Sequence, residues 1–363
     1  MRVLVDIGHP AHVHLFKNMI WSLEADGHKV KIAAKDKDIV LSLLNAYGFK
    51  YENLGKHHKK LLNKLSGLIA RDYKLYKVSR EFKSDIFISH GSMYAAHVAK
   101  LLGKPHISLE DTEHSTEQIR LYAPFTDAIL TSTCFKKDLG KKQVRYNGYH
   151  ELAYLHPNYF TPNRGVLDEL DLNKDDKFII LRFVSWDASH DIGHRGFDLE
   201  TKKNLIREFE KYGMVFITSE STLQKEFEKH RLTIPPEKMH DLLYYASLYI
   251  GEGATMATEA GVLGTPSIYL SSLVGTMGNF EELEKYGLVY SFQDQDLALD
   301  KALQFLEEKK LKEKWQKKRV KMLNDKIDVT KFMTNFIENY PESFLEYKAN
   351  TPNKGKKGNY YHN

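Results

Sequence analysis

The sequence predicts an α/β protein with two Rossmann-like domains, each built on a parallel sheet. At 363 residues the chain is longer than a single hydrophobic core usually serves. Apolar runs and helical patterns alternate as β-α-β-α-β from the first residues onward, which is typical of a doubly wound sheet. A second alternating series starts at residue 177, after a segment (157–176) rich in proline, asparagine and charge that resembles an interdomain linker.

The first domain is predicted over residues 1–160. Arg2–Ile7 is a short apolar run of the kind that forms a parallel strand buried on both faces. A helix follows from about Val13 to Ala25, and Gly27 ends it in the way common at helix C-termini. Further strands are predicted at His28–Ala34, Phe49–Asn53, Asp85–Ser89, His106–Leu109, Ala128–Thr131 and Gln143–Tyr146.

The second domain is predicted over residues 174–326, and a polar tail follows the last helical pattern. Residues 346–363 contain four lysines and a single acidic residue, Glu346, so we expect a disordered basic tail. The strands expected in the second domain are Lys177–Leu181, Met214–Thr218, Leu248–Ile250, Pro266–Leu270 and Leu288–Ser291.

Composition indicates a soluble globular protein, with 42% hydrophobic and 28% charged residues. The chain has no apolar run of 18 residues, and its start (MRVLVDIGHP) resembles a strand rather than a signal peptide. The single cysteine, Cys134, excludes an internal disulfide and a thiolate-cluster metal site. These features predict a cytoplasmic protein. The net charge of +5 permits acidic partners without requiring nucleic acid, which we do not expect as a partner.

Residues 56–83 form a long helical pattern with nine Lys or Arg residues against two acidic ones. A solvated helix face over the sheet is one interpretation. The other is a patch that contacts an anionic membrane at its inner face, or a lipid-linked acceptor. Nucleic acid is disfavoured because aromatic residues do not interleave with the charge along the whole segment, as single-strand binding favours.

The motif with the clearest chemistry is residues 248–270, LYIGEGATMATEAGVLGTPSIYL. It predicts a buried strand, a tight turn with Gly251 and Gly253, a helix and a second strand. Glycines let the backbone approach a ligand, and the first helical turn offers unpaired N–H groups at the positive end of the helix dipole. Such a turn is a ready site for phosphate. The alternative is an ordinary crossover in which the glycines only make turns.

This pattern, Thr-x-x-x-Glu followed by Gly-x-Pro after a Gly-rich turn, resembles the nucleotide-diphosphate motif of GT-B enzymes. Similar families are the MurG-type GlcNAc transferases and the UDP-GlcNAc 2-epimerases. The whole chain is similar to an archaeal and bacterial family of GT-B-like proteins described as a domain of unknown function. Within it, GHPAHVHLF near the start and SWDASHD mid-chain resemble this sequence.

The resemblance implies a GT-B fold, with both parallel sheets facing an interdomain cleft and residues 327–345 crossing back to the first domain as a helix. It further implies that the turn amides hold a diphosphate and that the helix glutamate, Glu259, holds a ribose. Glu259 lies four residues after Thr255, so the two are expected on the same side of the helix. The turn residues assigned to substrate binding are Glu252, Gly253, Ala254, Thr255 and Met256.

The loop after the first strand contains three histidines in the pattern His-x-x-His-x-His. A histidine at a helix start suits general base catalysis because its pKa is near neutrality. We predict His12 as the base, with His9 second. Because no carboxylate or cysteine lies at ligand spacing nearby, we do not expect a metal there, and no cofactor is predicted.

The first loop of the second domain follows an apolar strand and combines polar with aromatic residues. In GT-B relatives this loop contacts the diphosphate. Arg182 can pair with phosphate bidentately, and an aromatic ring can stack on a base or sugar. The alternative is a polar loop stabilised by local turns. The residues predicted to bind substrate here are Arg182, Ser185, Trp186, Asp187 and His190.

Two further loops of the first domain follow strands and should meet at the same edge of its sheet. Ser89 and His90 precede a helix whose N-terminal amides can hold an anion, so we assign them to substrate binding. Glu110 lies in an acidic cluster that can supply a catalytic carboxylate, hold a divalent ion or cap the next helix.

Together these features predict a metal-independent glycosyltransferase that uses a nucleotide-diphosphate sugar, with UDP as the expected nucleotide, in surface polysaccharide or glycolipid synthesis. Its partners would be that sugar donor and a sugar or lipid-linked acceptor. One alternative is an enzyme like a UDP-HexNAc 2-epimerase, although the His-Arg-x-Glu-Asn loop of those enzymes does not occur in residues 183–191. The other is a nucleotide-sugar-binding protein without turnover.

Overall fold

The computed structural model describes residues 1–56, 61–184, 197–219 and 223–350, with side chains for all of these except 56 and 61–69. The chain divides into two compact units. The first contains Met1–Tyr159 and the segment from Ile327 onward, and the second contains Phe160–Lys326. Most of the segment expected as a linker (157–176) therefore belongs to the second unit.

In the described part of the first unit, seven strands form one sheet in the order β3-β2-β1-β4-β5-β6-β7. Every neighbouring pair is parallel. The carboxyl ends of the strands consequently share one edge. The strands are β1 (Arg2–Ile7), β2 (Lys29–Asp36), β3 (Tyr51–Lys56), β4 (Ile86–His90), β5 (His106–Glu110), β6 (Ala128–Ser132) and β7 (Gln143–Tyr146).

The helices of the first unit connect these strands and cover the sheet. Because the inner strand β1 is covered on both faces, Val3, Leu4 and Val5 are each 0% exposed. Each such side chain contributes roughly 1.5–3 kcal/mol on burial. The helices are α1 (Pro10–Ala25), α2 (Val40–Ala46), α3 (Leu61–Phe82), α4 (Met93–Leu102), α5 (Thr116–Tyr122) and α6 (Leu152–Leu155).

The second unit repeats this plan with five described strands in the order β12-β11-β10-β8-β9, again all parallel. Its strands are β8 (Phe178–Phe183), β9 (Met214–Ser219), β10 (Leu248–Gly251), β11 (Ser267–Leu270) and β12 (Val289–Phe292). Its helices are α7 (Leu199–Phe209), α8 (Met239–Tyr245), α9 (Ala254–Val262), α10 (Gly278–Lys285), α11 (Gln295–Glu307) and α12 (Leu311–Asp325).

Two helices follow the second unit, α13 (Val329–Glu338) and α14 (Glu342–Asn350), and both belong to the first unit. The helical structure therefore extends beyond residue 345, where the sequence predicted the start of a disordered tail. The reason lies at β7, an edge strand whose backbone groups need partners. The hydroxyl of Tyr347 accepts the N–H of Arg145 at 2.8 Å, and the Nζ of Lys348 donates to the carbonyl of Gln143 at 2.9 Å. Residues 351–363 lie outside the described part of the chain.

Among the helices that the structure describes, none has both the length and the apolar character needed to cross a membrane.

Candidate functional site

In the second unit, the turn between β10 and α9 leads from the buried strand directly to an accessible helix start. Gly251 is buried, whereas Thr255, in the first turn of α9, is exposed. Gly253 is the N-cap residue and provides no side-chain cap. The first amides of α9 are therefore left for a ligand or for water, at the positive end of the helix dipole. Ala254 and Met256 flank Thr255 and are half-buried.

The glycines of this turn are required by the closeness of β8. A Cβ atom on Gly251 would lie 2.6 Å from the Cβ of Arg182 and 2.8 Å from its carbonyl oxygen. A Cβ atom on Gly253 would lie 3.1 Å from the Cγ of Arg182. The stem of Arg182 thus lies directly against the turn, and the Nη1 atom donates to the hydroxyl of Thr218 at 3.0 Å. The predicted phosphate-binding residues Arg182 and Gly253 are adjacent in space, although 71 positions separate them.

Glu252 was predicted to bind substrate, but the structure gives its carboxylate a different set of contacts. The side chain is 4% exposed. Its Oε2 atom accepts the N–H of Val184 at 2.8 Å, and its Oε1 atom accepts the N–H of Phe197 at 2.5 Å. These residues flank the segment 185–196 on both sides, so Glu252 holds the two ends of that segment together. Ser185, Trp186, Asp187 and His190, which were predicted to bind substrate, lie in it and outside the described residues.

Glu259, predicted to bind a ribose, is 4% exposed and lies one turn below the exposed Thr255. The two side chains therefore differ in exposure, which their four-residue spacing on one side of the helix did not indicate. The reason is α8, which packs against α9 and brings the Nε2 atom of His240 to 2.9 Å from Oε1 of Glu259. A charge-assisted bond of this kind fixes the orientation of the carboxylate. The site assignment of Glu259 stays a prediction.

In the first unit, His9 and His12 lie at the start of α1, directly after β1. His9 is the N-cap residue, and its Nδ1 atom accepts the N–H of Ala11 at 3.2 Å. The Nδ1 atom of His12 accepts the N–H of Gly8 at 3.4 Å. Because Nδ1 is the acceptor in both rings, a neutral ring carries its proton on Nε2.

Both histidines are held in the neutral form. Burial, and then the charge of Lys37, lower the pKa of His9 to about 4. Burial, and then the neighbouring His90, hold the pKa of His12 well below its ordinary value. For His12 to act as the predicted base through Nε2, its proton must move to Nδ1 and the long bond from Gly8 must break. The base role stays a prediction with this condition attached.

His90 lies at the end of β4, where its ring stacks on that of His12 with centroids 4.5 Å apart. Its Nε2 atom is 3.0 Å from Oδ1 of Asp111, and the Nδ1 atom of His150 is 3.1 Å from Oδ2 of the same carboxylate. Burial alone would lower the pKa of His90, but the charge and hydrogen bond of Asp111, together with the charge of Glu110 and a backbone hydrogen bond, raise it to about 9. Burial would raise the pKa of Asp111, but His150 and His90 bring it well below its usual range.

Glu110 and Ser89 are sealed among protein partners. Glu110 is 1% exposed. Its Oε1 atom accepts the N–H groups of Asp111 and Thr112 at 3.1 and 2.9 Å, and its Oε2 atom accepts the hydroxyl of Tyr122 at 2.8 Å. These bonds hold the turn after β5 and do not cap the next helix, which begins at Thr116. Ser89 is 0% exposed, and its hydroxyl lies 2.8 Å from Nε2 of His106.

Two residues of these clusters were not singled out from the sequence, His150 and His240. His150 follows β7, so its position after a predicted strand was an available signal. His240 lies within the short helix α8, and nothing in the local pattern marks it. Its contact with Glu259 depends on the packing of α8 on α9.

Two parallel sheets, the second with a Gly-rich turn leading into a helix, define a protein of the GT-B class, as the sequence predicted. The chain belongs to the family described as protein of unknown function DUF354, whose profile matches residues 1–341. An uncharacterized protein of Methanocaldococcus jannaschii is similar, with 27% identity over 286 residues that cover 75% of this chain and 83% of the relative.

Solved structures of two kinds of enzyme resemble the chain. The UDP-GlcNAc 2-epimerase of Neisseria meningitidis, solved with UDP-GlcNAc, superposes with a TM-score of 0.62 at 15% identity, covering 95% of this chain and 100% of that one. MnaA of S. aureus, solved with UDP, gives 0.67 at 12% identity, covering 98% and 100%. The spinosyn rhamnosyltransferase SpnG, solved with thymidine diphosphate, gives 0.61 at 12% identity, covering 93% and 100%. At these identities the likeness establishes the fold alone.

Proposed function

We propose that the protein is a glycosyltransferase that uses a nucleotide-diphosphate sugar, with UDP as the first nucleotide to test. The observation that carries this proposal is the start of α9. Gly253, the N-cap residue, has no side chain to cap the helix, so the first amides of α9 are available. Arg182 of the neighbouring strand lies against the same turn. The similar proteins solved with UDP, UDP-GlcNAc or thymidine diphosphate support a nucleotide ligand.

The turn and Arg182 would stabilise the diphosphate as it leaves the sugar. In glycosyl transfer, negative charge develops on the departing diphosphate. Preorganised amides and a guanidinium group placed at that charge are the largest source of rate acceleration in such sites. Arg182 has a fixed position because its stem packs on Gly251 and Gly253 and its Nη1 atom donates to Thr218. This part of the site needs no metal ion to neutralise the leaving group.

The ribose contact and the acceptor proton are assigned to the Glu259–His240 pair and to His12, respectively. Glu259, oriented by His240, would accept the two hydroxyls of the ribose. His12, neutral and at the end of β1, would take the proton of the acceptor hydroxyl through Nε2 after its ring proton moves to Nδ1.

An epimerase-like reaction is the second candidate, and a specific observation favours it. His12 and His90 stack on one another, yet the pKa of one is far below its ordinary value and that of the other is raised to about 9. Two groups with pKa values pushed apart can serve as base and acid in removing and returning a proton at a sugar carbon. Glu110 would not supply this chemistry, because two backbone amides and Tyr122 occupy its carboxylate.

We place the reaction in surface polysaccharide or glycolipid synthesis at the cytoplasmic face of a membrane. The support is the excess of basic residues in 56–83, where Tyr73 is 62% exposed. Anionic lipid attracts such a segment by about 1 kcal/mol for each basic residue near the surface.

The deciding experiment is calorimetric titration of the purified protein with UDP, UDP-GlcNAc, GDP, ADP and NAD. We expect UDP or a UDP-sugar to bind in the micromolar range and NAD not to bind. Absence of binding by every nucleotide would overturn the proposal.

Bound UDP-sugars are then incubated in D₂O without an acceptor. Deuterium at C2 of the recovered sugar would identify the epimerase reaction, whereas turnover only with an added acceptor would identify the transferase. Binding without turnover in either assay would leave a nucleotide-sugar-binding protein.

A further inference from the structure

Three side chains with metal-binding atoms converge where strands of the first unit end. His90 is the last residue of β4, Asp111 follows β5, and His150 lies four residues after β7. One nitrogen of each imidazole and one carboxylate oxygen all lie within 4.8 Å of one another. Their closest approaches are 3.0 Å for His90 to Asp111 and 3.1 Å for His150 to Asp111.

The donor set selects a class of ion. Two imidazole nitrogens and one carboxylate oxygen suit Zn²⁺ and similar divalent transition metals, whereas Mg²⁺ and Ca²⁺ prefer oxygen ligands. A tetrahedral ion with bonds of about 2.1 Å separates its ligand atoms by roughly 3.4 Å. The two contacts with Asp111 are close to that spacing, so modest side-chain rotations would admit an ion among the three residues.

The cluster differs from the other described histidine–carboxylate contacts of this unit. His28 pairs with Glu338, and His97 pairs with Asp72, one imidazole to one carboxylate. Only at Asp111 do the described contacts bring two imidazoles to a single carboxylate. The rings are also well shielded, with His90 12% exposed and His150 7% exposed in their side chains.

Two buried polar atoms beside Asp111 have no hydrogen-bond partner in the described part of the chain, the Nε2 atom of His150 and the hydroxyl of Tyr146. The ring of Tyr146 lies nearly parallel to that of His150, with centroids 6.4 Å apart. Buried polar groups are rarely left unsatisfied, and a missing ion or water is a common explanation. An ion with three protein ligands keeps at least one position for a small oxygen ligand.

We propose that His90, Asp111 and His150 bind one divalent transition-metal ion, of which Zn²⁺ is the first to test, and that the ion keeps an open position for a small oxygen ligand. Nothing in the phosphate site of the second unit takes part in this. The inference therefore goes beyond the proposed glycosyltransferase and stands without it.

The ion would also discriminate between the two candidate reactions. A histidine that binds a metal does so as a neutral ring, so His90 could not serve as the acid of an epimerase-like pair while the ion is bound. The oxygen ligand in the open position would instead lose its proton more readily, as water and hydroxyl groups do on a metal. Such a ligand suits an acceptor hydroxyl next to His12, whose ring stacks on that of His90.

The test uses the full-length protein, stripped with a chelator and titrated with ZnCl₂ alone by calorimetry. A parallel titration with Co²⁺ is followed by visible absorption, which reports a low-coordinate site. We expect one ion per chain with a micromolar or tighter Kd. Asp111→Asn and His150→Gln each remove one ligand. Each should weaken Zn²⁺ binding by roughly 100-fold, since losing a residue that merely supports a ligand already weakens binding by roughly 10- to 100-fold.

His28→Gln and His97→Gln are the matched controls, because each removes one histidine from a carboxylate pair outside the cluster. Both should bind Zn²⁺ as the unaltered protein does. Circular dichroism and thermal unfolding, compared with the unaltered protein, establish that the Asp111→Asn and His150→Gln variants remain folded. Equal Zn²⁺ binding by all four variants would show attachment to surface histidines only and would overturn the proposal, as would the absence of binding by the unaltered protein.

Discussion

The two sheets present very different groups where their strands end. In the first unit that edge is crowded with ionisable side chains, and His12, His90, Asp111 and His150 form one connected group. In the second unit, the described part of the equivalent edge presents the backbone of two glycines and the start of α9 beside Arg182. We therefore propose that one fold plan, used twice, serves proton or metal chemistry in one unit and anion binding in the other.

The physical requirements of the two edges differ accordingly. Burying ionisable groups is costly unless each is paired, and that is why both oxygens of Asp111 face an imidazole. Backbone amides at a helix start need no such pairing, but they need a close approach that only glycine permits. The first edge should thus be sensitive to the loss of a partner, and the second to the gain of a side chain.

The largest expected effect comes from adding a side chain at the second edge. Gly251→Val would place its Cβ atom 2.6 Å from the Cβ of Arg182, so strand β10 must shift. Overpacking of this kind should destabilise the protein by about 3 kcal/mol and abolish UDP binding. Chemical denaturation and calorimetry measure the two effects.

Gly8→Ala is the control for this comparison, since it adds a methyl group at the first edge. The nearest atom to its Cβ would be the Nζ of Lys35 at 3.5 Å, an ordinary contact. We expect little change in the free energy of unfolding. If Gly8→Ala lowered stability as much as Gly251→Val, the second edge would not differ from the first in its intolerance of an added side chain.

A smaller effect is expected from substituting either of two buried glutamates that each hold a loop. These are Glu252 in the second unit and Glu110 in the first. In Glu252→Gln an NH₂ group replaces one carboxylate oxygen opposite the N–H of Val184 or Phe197. We expect a loss of about 2 kcal/mol in stability, the value for hydrogen bonds to charged groups, together with weaker UDP binding. Hydrogen exchange at Val184 and Phe197 reports the local opening.

Glu110→Gln disturbs the corresponding bonds to Asp111 and Thr112, so its stability loss should be similar. Its UDP affinity should nevertheless match that of the unaltered protein, because the nucleotide is proposed to bind the other unit. Equal losses of UDP affinity in both variants would contradict the assignment of the nucleotide to the second edge.

The sequence predicted the second edge better than the first, for a physical reason. The Gly-rich turn is a local pattern in which strand, glycines and helix follow one another within 15 residues (248–262). The group around Asp111 is assembled from four chain segments that are distant in sequence. Only the parallel order of β1, β4, β5 and β7 brings these segments together. The pattern placed His12 and His90 at that edge, but it gave no means of pairing them with Asp111 and His150.

The same limit applies to Glu259, whose spacing predicted the same side of the helix as Thr255 but not the packing of α8, which buries it beside His240. Glu259→Ala should weaken UDP affinity by roughly 1–3 kcal/mol, the cost of losing a hydrogen bond to a charged group. His240→Gln keeps the carboxylate but loses its orienting partner, so the loss should be smaller, roughly 0.5–1.5 kcal/mol.

Calorimetry with UDP and with pyrophosphate, which has neither ribose nor base, separates the ribose contribution to affinity from that of the diphosphate. Both variants should lose affinity for UDP and keep their affinity for pyrophosphate, because the ribose contact is absent from the latter. A folded Glu259→Ala variant with unchanged UDP affinity would remove this carboxylate from the site. The second edge would then bind only the diphosphate, and the nucleotide would have to be recognised by residues other than Glu259.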